Sequence, residues 1–291
     1  MDVIGIIPVQ ALHGLVYGMV LFLLASGLTL IFGMMDVLNF AHGALYMLGA
    51  YFSYTVMVWT GQFWLSLLIA PLLVGGVGVF IERFFLRRIH VHGHIPELLL
   101  TFGIAYILED VVKILWGNEP LRVKIPAILS GSVSLFGAGS AYPTYRLFIL
   151  LVSFLVFVLL FLVLFKTRLG IIVRAAVSNK EMVGALGFNV PLVFLALFGV
   201  GAWLAGLAGV IGGPYLITHP GMAAAILIDL FVVVVVGGLG SIQGALLAAI
   251  LIGELQSFGV LFIPQFAIFF EFLLLAAVLI FKPEGLLGEP Q

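Results

Sequence analysis

The chain has 291 residues, of which 64% are hydrophobic and 9% charged, with a formal net charge of −1 and no cysteine. A soluble domain carries about a quarter charged residues, so most of this apolar surface must meet lipid or other membrane helices. The charge balance argues against nucleic-acid binding, which needs a basic face, and the lack of cysteine excludes disulfides and thiolate chemistry.

The N-terminus does not read as a cleavable signal, because residue 2 is Asp2 and the first basic side chain is Arg83. A crossing needs roughly 20 apolar residues, and the charge-free runs predict spans at about 10–34, 40–59, 63–85, 97–116, 145–165, 191–213, 223–238, 244–262 and 265–282. The cleanest is the stretch of 19 uncharged residues between Arg146 and Lys166. A break is expected at Gly212-Gly213-Pro214. The segment after Gly221 is short and interrupted by Gly237-Gly238-Leu239-Gly240-Ser241, as in an element that enters the membrane and turns back inside protein. The fold class is therefore an all-α membrane protein, a polytopic bundle of about eight to ten transmembrane helices with broken or re-entrant segments, in one domain over 1–291. Nine crossings place eight Lys and Arg residues on one side and four on the other, which puts the N-terminus outside and the C-terminus in the cytoplasm.

The inner loop 166–190 is the most structured polar stretch. Ser178-Asn179-Lys180-Glu181 fits a capping box with Ser178 as the cap, and Gly187 supplies a left-handed stop. A short helix over about 179–186 follows, with Met182, Val183 and Leu186 on one apolar face. Two turns are not stable alone in water. The helix either lies on the membrane surface and this chain's own helix ends, or fits a cleft on a partner.

Inside the spans, Gly201, Ala205, Gly209 and Gly213 make a smooth stripe for tight helix packing within the subunit, the alternative being a seam with a second membrane subunit. Glu109 is neutralised by Lys113 one turn on, and Glu82 reads as an interface pair with Arg83. Asp229 and Glu254 border the glycine-rich interruption, and Glu271 has no assignable partner. Asn39-Phe40-Ala41-His42-Gly43 opens the second span. Asn39 and His42 share a face, and a helix start favours a carboxylate ligand. Equally, this is a structural turn in which His42 bonds a neighbouring helix.

Several searches return nothing. There is no GxxxxGK[ST] phosphate loop, GxSxG elbow or HExxH pair. Gly238, Gly240 and Gly244 miss the dinucleotide fingerprint by one residue and lack a βαβ context. His90, His92 and His94 alternate without enough partners for a metal, and no nucleophile–base set supports an intramembrane enzyme. No metal or cofactor is expected on this chain.

Four blocks in order resemble the membrane subunits of the branched-chain amino-acid class of bacterial ABC importers: GLTLIFGMMDVLNFAHGALYMLGAY (27–51), RAAVSNKEMVGALGFN (174–189), VVGGLGSIQGALLAAILIGE (235–254) and PEGLLG (283–288). The similarity covers nearly the whole chain, and its length and cytoplasmic tail (283–291) suit the shorter, LivH-like, of two paired permeases. The resemblance implies a multi-pass permease of the bacterial inner membrane for a small, branched-chain-type amino acid or related amide. It also implies a second, LivM-like permease, a periplasmic substrate-binding protein and two cytoplasmic subunits that bind the ATP. Carried over, Asn39, His42, Gly43, Gly237, Gly238, Gly240, Ser241 and Gln243 would line the path. Arg174, Ser178, Glu181, Met182, Val183, Leu186 and Gly187 would couple to the ATPase. Ala44 stands where some relatives carry an acid. The competing reading is an ion-coupled secondary transporter, motivated by Asp229, Glu254 and Glu271 and by the echo of His42-Gly43-Ala44-Leu45 in Gln243-Gly244-Ala245-Leu246.

Overall fold

A computed structural model of the chain describes residues 3–35, 39–135 and 141–288. Residues 1–2, 36–38, 136–140 and 289–291, which include Asp2 and part of the expected outer loop and tail, lie outside the described residues. The long helices are α1 (Val3–Met35), α2 (His42–Thr60), α3 (Phe63–Ile81), α5 (His94–Trp116), α6 (Thr144–Lys166), α9 (Val190–Leu216), α10 (Met222–Gly237), α11 (Ile242–Phe262) and α12 (Ala267–Phe281). Between them lie the short α4 (Arg87–Ile89), α7 (Arg168–Ser178) and α8 (Lys180–Ala185), and one small hairpin, β1 (Ser132–Ser134) with β2 (Ala141–Pro143).

Each of the nine expected spans has a helix. Six helical stretches are long and apolar enough to cross a membrane by themselves, and α10 is a shorter apolar helix. The more polar α2 is enclosed instead: residues 41–51 are buried in protein, so it has little need of a lipid-facing apolar surface. By contrast α12 is exposed or half-buried along most of its length, with Ala267, Glu271 and Val278 as its buried residues.

Without a hydrophobic force between helices in lipid, close approach is carried by small side chains. The α1–α11 crossing is the clearest case. A Cβ on Gly253 would lie 2.3 Å from Gly14 O, and one on Gly18 would lie 2.5 Å from Ala249 O. Near the start of α1 Gln10 Nε2 donates to Ser257 O (2.6 Å), and Ser257 Oγ donates back to Gln10 O (2.8 Å). The α9 stripe packs inside the subunit: Gly201 meets α1 at Gly27 and Ile31, and Gly209 meets α2 at Tyr46.

Three expectations are corrected. Helix α9 does not break at Gly212-Gly213-Pro214 but runs on to Leu216. Those glycines instead admit Tyr46 and Thr218, and Pro214 falls so near the end that few helix bonds are lost. Glu82 forms its ion pair with Arg87 (3.6 Å) rather than Arg83. Residues Glu82–Leu86 form a π-helical turn, whose i→i+5 spacing brings position 87 over position 82. Glu271 has partners: Tyr17 Oη donates to Asp229, and Asp229, Glu271 and Gln256 are in hydrogen-bond contact across α10, α11 and α12. The expected Lys113–Glu109 pair is present at 2.8 Å.

Candidate functional site

Two places gather the residues singled out by the sequence. The first is the start of α2. Asn39 Oδ1 accepts from Ala41 N (3.1 Å), and His42 N donates to Asn39 O (3.1 Å), so the Asn39 side chain folds the turn that starts the helix. Thr101 of α5 receives Phe40 N at 3.2 Å. His42 is fully buried, and its Nε2 lies 3.0 Å from Leu24 O. A carbonyl can only accept, so Nε2 carries the proton and Nδ1 is left as an acceptor. Among the described residues, neither His42 Nδ1 nor Asn39 Nδ2 has a partner. The turn thus holds one orphaned donor and one orphaned acceptor. Gly43 lets α10 approach, since a Cβ there would lie 2.5 Å from Ala223 O.

The second place is the turn between α10 and α11. Ser241 caps α11 by accepting from Gly244 N (3.1 Å), and Gln243 lies in that helix's first turn. Gly237 packs on Gly244, and Gly240 meets Gly33 at the end of α1. The C-terminal segment closes over the same turn: Leu286 N donates to Val236 O (2.8 Å) and Leu287 N to Gly237 O (3.1 Å). These bonds satisfy carbonyls at the end of α10 that have no helical partner. Gly238 (φ +101°) and Gly285 (φ +83°) face each other backbone to backbone.

The two sets do not meet. Gly43 touches the start of α10 at Ala223, whereas Gly237 is 14 residues further along that helix, about 21 Å at 1.5 Å per residue. The expected path residues therefore mark opposite ends of one short helix.

The loop 166–190 forms an elbow of two helices. Sequence reasoning saw only the second; the first begins at Arg168, one residue after α6 ends at Lys166. Thr167 Oγ1 accepts from Gly170 N (3.3 Å) and caps α7. The cap of α8 is Asn179, not Ser178: Asn179 Oδ1 accepts from Met182 N (2.8 Å). Ser178 is the last residue of α7; its helical backbone rules it out as an N-cap, which needs extended dihedrals. Glu181 is exposed in the first turn of α8. Arg174 Nη1 donates to Leu164 O, and its guanidinium lies over Phe165, a cation at the end of α6 where the helix dipole favours it. Val183 is buried and anchors α8, while Met182 (58% exposed) and Leu186 (69%) project outward. Gly187 has φ +88° and turns the chain towards the cap of α9, where Asn189 Oδ1 accepts from Leu192 N (3.1 Å).

Elsewhere, Glu97 binds His90 Nδ1 and lies 3.9 Å from His94. Among the described residues no group of three or more His, Asp or Glu side chains is placed to hold a metal.

An enclosed helix start, a short helix closed at its far end by the C-terminal segment and a projecting two-helix elbow are set in a bundle of apolar helices long enough to cross a membrane several times. Over residues 10–281 the chain matches the branched-chain amino acid transport system permease component, and it belongs to that family. It is similar to the high-affinity branched-chain amino acid transport system permease protein BraD of Pseudomonas aeruginosa, at 31% identity over 97% of this chain and 96% of that protein. It is also similar to the LivH permease proteins of Salmonella typhimurium and Escherichia coli, each at 28% identity over 97% of this chain and 96% of the relative. No solved structure matches it. The chain is thus a membrane permease component that works with partner subunits, in a family of transport subunits rather than enzymes.

Proposed function

We propose that this chain forms part of the translocation path of an ABC importer for a small branched-chain-type amino acid. It would sit in the bacterial inner membrane with its N-terminus outside and its C-terminus in the cytoplasm. A periplasmic binding protein delivers the substrate, a LivM-like permease completes the path, and two cytoplasmic subunits bind the ATP. The observation that carries the substrate class is the start of α2. A zwitterion brings one acceptor, its carboxylate, and one donor, its ammonium group. Asn39 Nδ2 and His42 Nδ1, both buried and unpartnered among the described residues, are the complementary donor and acceptor. The elbow supports the ATPase role: a helix anchored by Val183 that still exposes Met182 and Leu186 offers an apolar knob for a cleft.

The test is reconstitution in liposomes. Uptake of leucine, isoleucine or valine should require ATP, the two ATPases and the binding protein, and Asn39→Ala or His42→Ala should depress it. Uphill uptake by this chain alone would overturn the reading. The network of Tyr17, Asp229, Gln256 and Glu271 is the one observation that favours ion coupling, and uptake abolished by a protonophore but indifferent to ATP depletion would establish that alternative.

A further inference from the structure

Two helix starts meet inside the bundle. A Cβ on Gly43, the second residue of α2, would lie 2.5 Å from the carbonyl oxygen of Ala223, the second residue of α10. The two starts are built alike. The residue before each helix has nearly the same dihedrals, φ −70° and ψ −5° at Ala41, φ −74° and ψ −5° at Gly221. The first N–H of each helix closes a turn, His42 N on Asn39 O and Met222 N on His219 O, both at 3.1 Å. The helices that lead into them, α1 and α9, cross at reciprocal glycines: a Cβ on Gly27 would lie 2.5 Å from Gly201 O, and one on Gly201 would lie 2.8 Å from Gly27 O.

A helix start carries about half a positive charge and unpaired N–H groups. A capping side chain or an acid in the first turn normally answers both. Neither of these starts has a capping side-chain bond, and neither has an acid in its first turn. The N–H groups of Gly43, Ala44, Ala223 and Ala224 have no acceptor among the described residues. Placing two such ends side by side in a low-dielectric interior adds repulsion. An independent side chain shows what is missing. Asn39 is 1% exposed; its Oδ1 is held at the start of α2 by Ala41 N, and its Nδ2 is a donor without a partner among the described residues. Unused donors beside two positive helix ends suit an anion that accepts several hydrogen bonds, and a carboxylate has two oxygens to do so. The junction is open on the α10 side, where Gly221, Ala224 and Ala225 are exposed and their small side chains leave the backbone bare.

We propose that the starts of α2 and α10 together form one carboxylate cradle, in which the N–H groups at the start of α10 join Asn39 Nδ2 in holding the carboxylate of the transported amino acid. This deepens the importer reading and rests on it. Ala223 and Ala224 supply, through their backbone, the half of the site that Asn39 and His42 lack. His42 Nδ1, an acceptor, remains for the ammonium end of the same molecule.

The test gives the cradle a carboxylate of its own. In the assembled transporter, Ala224→Asp places one on the first turn of α10, and Ala224→Asn places its uncharged isostere. Ala224→Asp should raise the thermal unfolding midpoint, because an acid at an unmet helix start is stabilising, and should cut ATP-driven leucine uptake several-fold by filling the site. Ala224→Asn should keep uptake close to that of the unmodified complex, with a midpoint below that of Ala224→Asp. A midpoint lowered by Ala224→Asp would show that the junction takes no anion. A raised midpoint with normal uptake would show that the anion is not the cargo, and equal loss of uptake in the two variants would reduce the effect to bulk. Each of these outcomes overturns the proposal. ATP-dependent uptake that Ala224→Asp leaves intact defeats this inference alone, whereas absent ATP-dependent uptake in the unmodified complex defeats the importer reading itself.

Discussion

The turn between α10 and α11 and the elbow formed by α7 and α8 both hinge on a left-handed glycine, yet they use it differently. At Gly238 a Cβ would stand 2.5 Å from Gly288 N and 2.6 Å from Gly288 Cα, whereas at Gly187 nothing lies within 4 Å. Gly238 is required by both its dihedral and the backbone pressed against it, Gly187 by its dihedral alone. The turn is a closed, interlocked junction that fixes helix ends. The elbow is an open projection whose shape is set by its own caps, leaving its outer face free for a partner. One dihedral class thus serves rigidity in one place and presentation in the other.

This contrast can be broken by substitution. Gly238→Ala should have the largest effect, about 2–4 kcal/mol from backbone strain plus overpacking, read as a lowered unfolding midpoint in fluorescence-detected size exclusion. Deleting residues 283–291 removes the two donors that close α10 and should cost about 1–3 kcal/mol; an unchanged midpoint would show that the C-terminal segment merely rests on the turn. Gly187→Val strains only the dihedral, about 1–2 kcal/mol, and should leave the bundle folded while ATP hydrolysis in the assembled transporter proceeds without matching uptake. Normal coupling in that variant would remove the mechanical role of the elbow. Smallest of all, Asn179→Ala should lower stability by about 1 kcal/mol through loss of the α8 cap, while Ser178→Ala stays within about 0.5 kcal/mol; the reverse order would restore Ser178 as the cap.

The positions of the helices were legible in the sequence because apolar runs and the loop charges at Arg83–Arg88 and Lys166–Lys180 are local signals. The stop at Gly187 was legible for the same reason, but the single apolar face expected of Met182, Val183 and Leu186 is split, with Val183 buried and the other two exposed. The cap was displaced by one residue because Ser178 and Asn179 are both good caps, and only the length of α7 decides between them. What the sequence withheld is long-range. Nothing local shows that Gly285 lies on Gly238, that Glu271 meets Asp229, or that Gly43 meets Ala223. Nor does the order of motifs show that the turn at Asn39 and the turn at Gly238 occupy opposite ends of α10. Carrying motifs over from relatives names the residues without placing them.

The seam between α1 and α11 has a consequence for how the molecule is made. Gln10 and Ser257 bond each other across 247 positions of sequence, so α1 leaves the ribosome long before its main neighbour, α11. At roughly 5–20 residues per second, synthesis of the intervening chain takes about 12–50 s. During that interval the glycine face of α1 must wait in the bilayer or in the care of the insertion machinery. Premature stop products lacking α11 would carry this unmet face permanently.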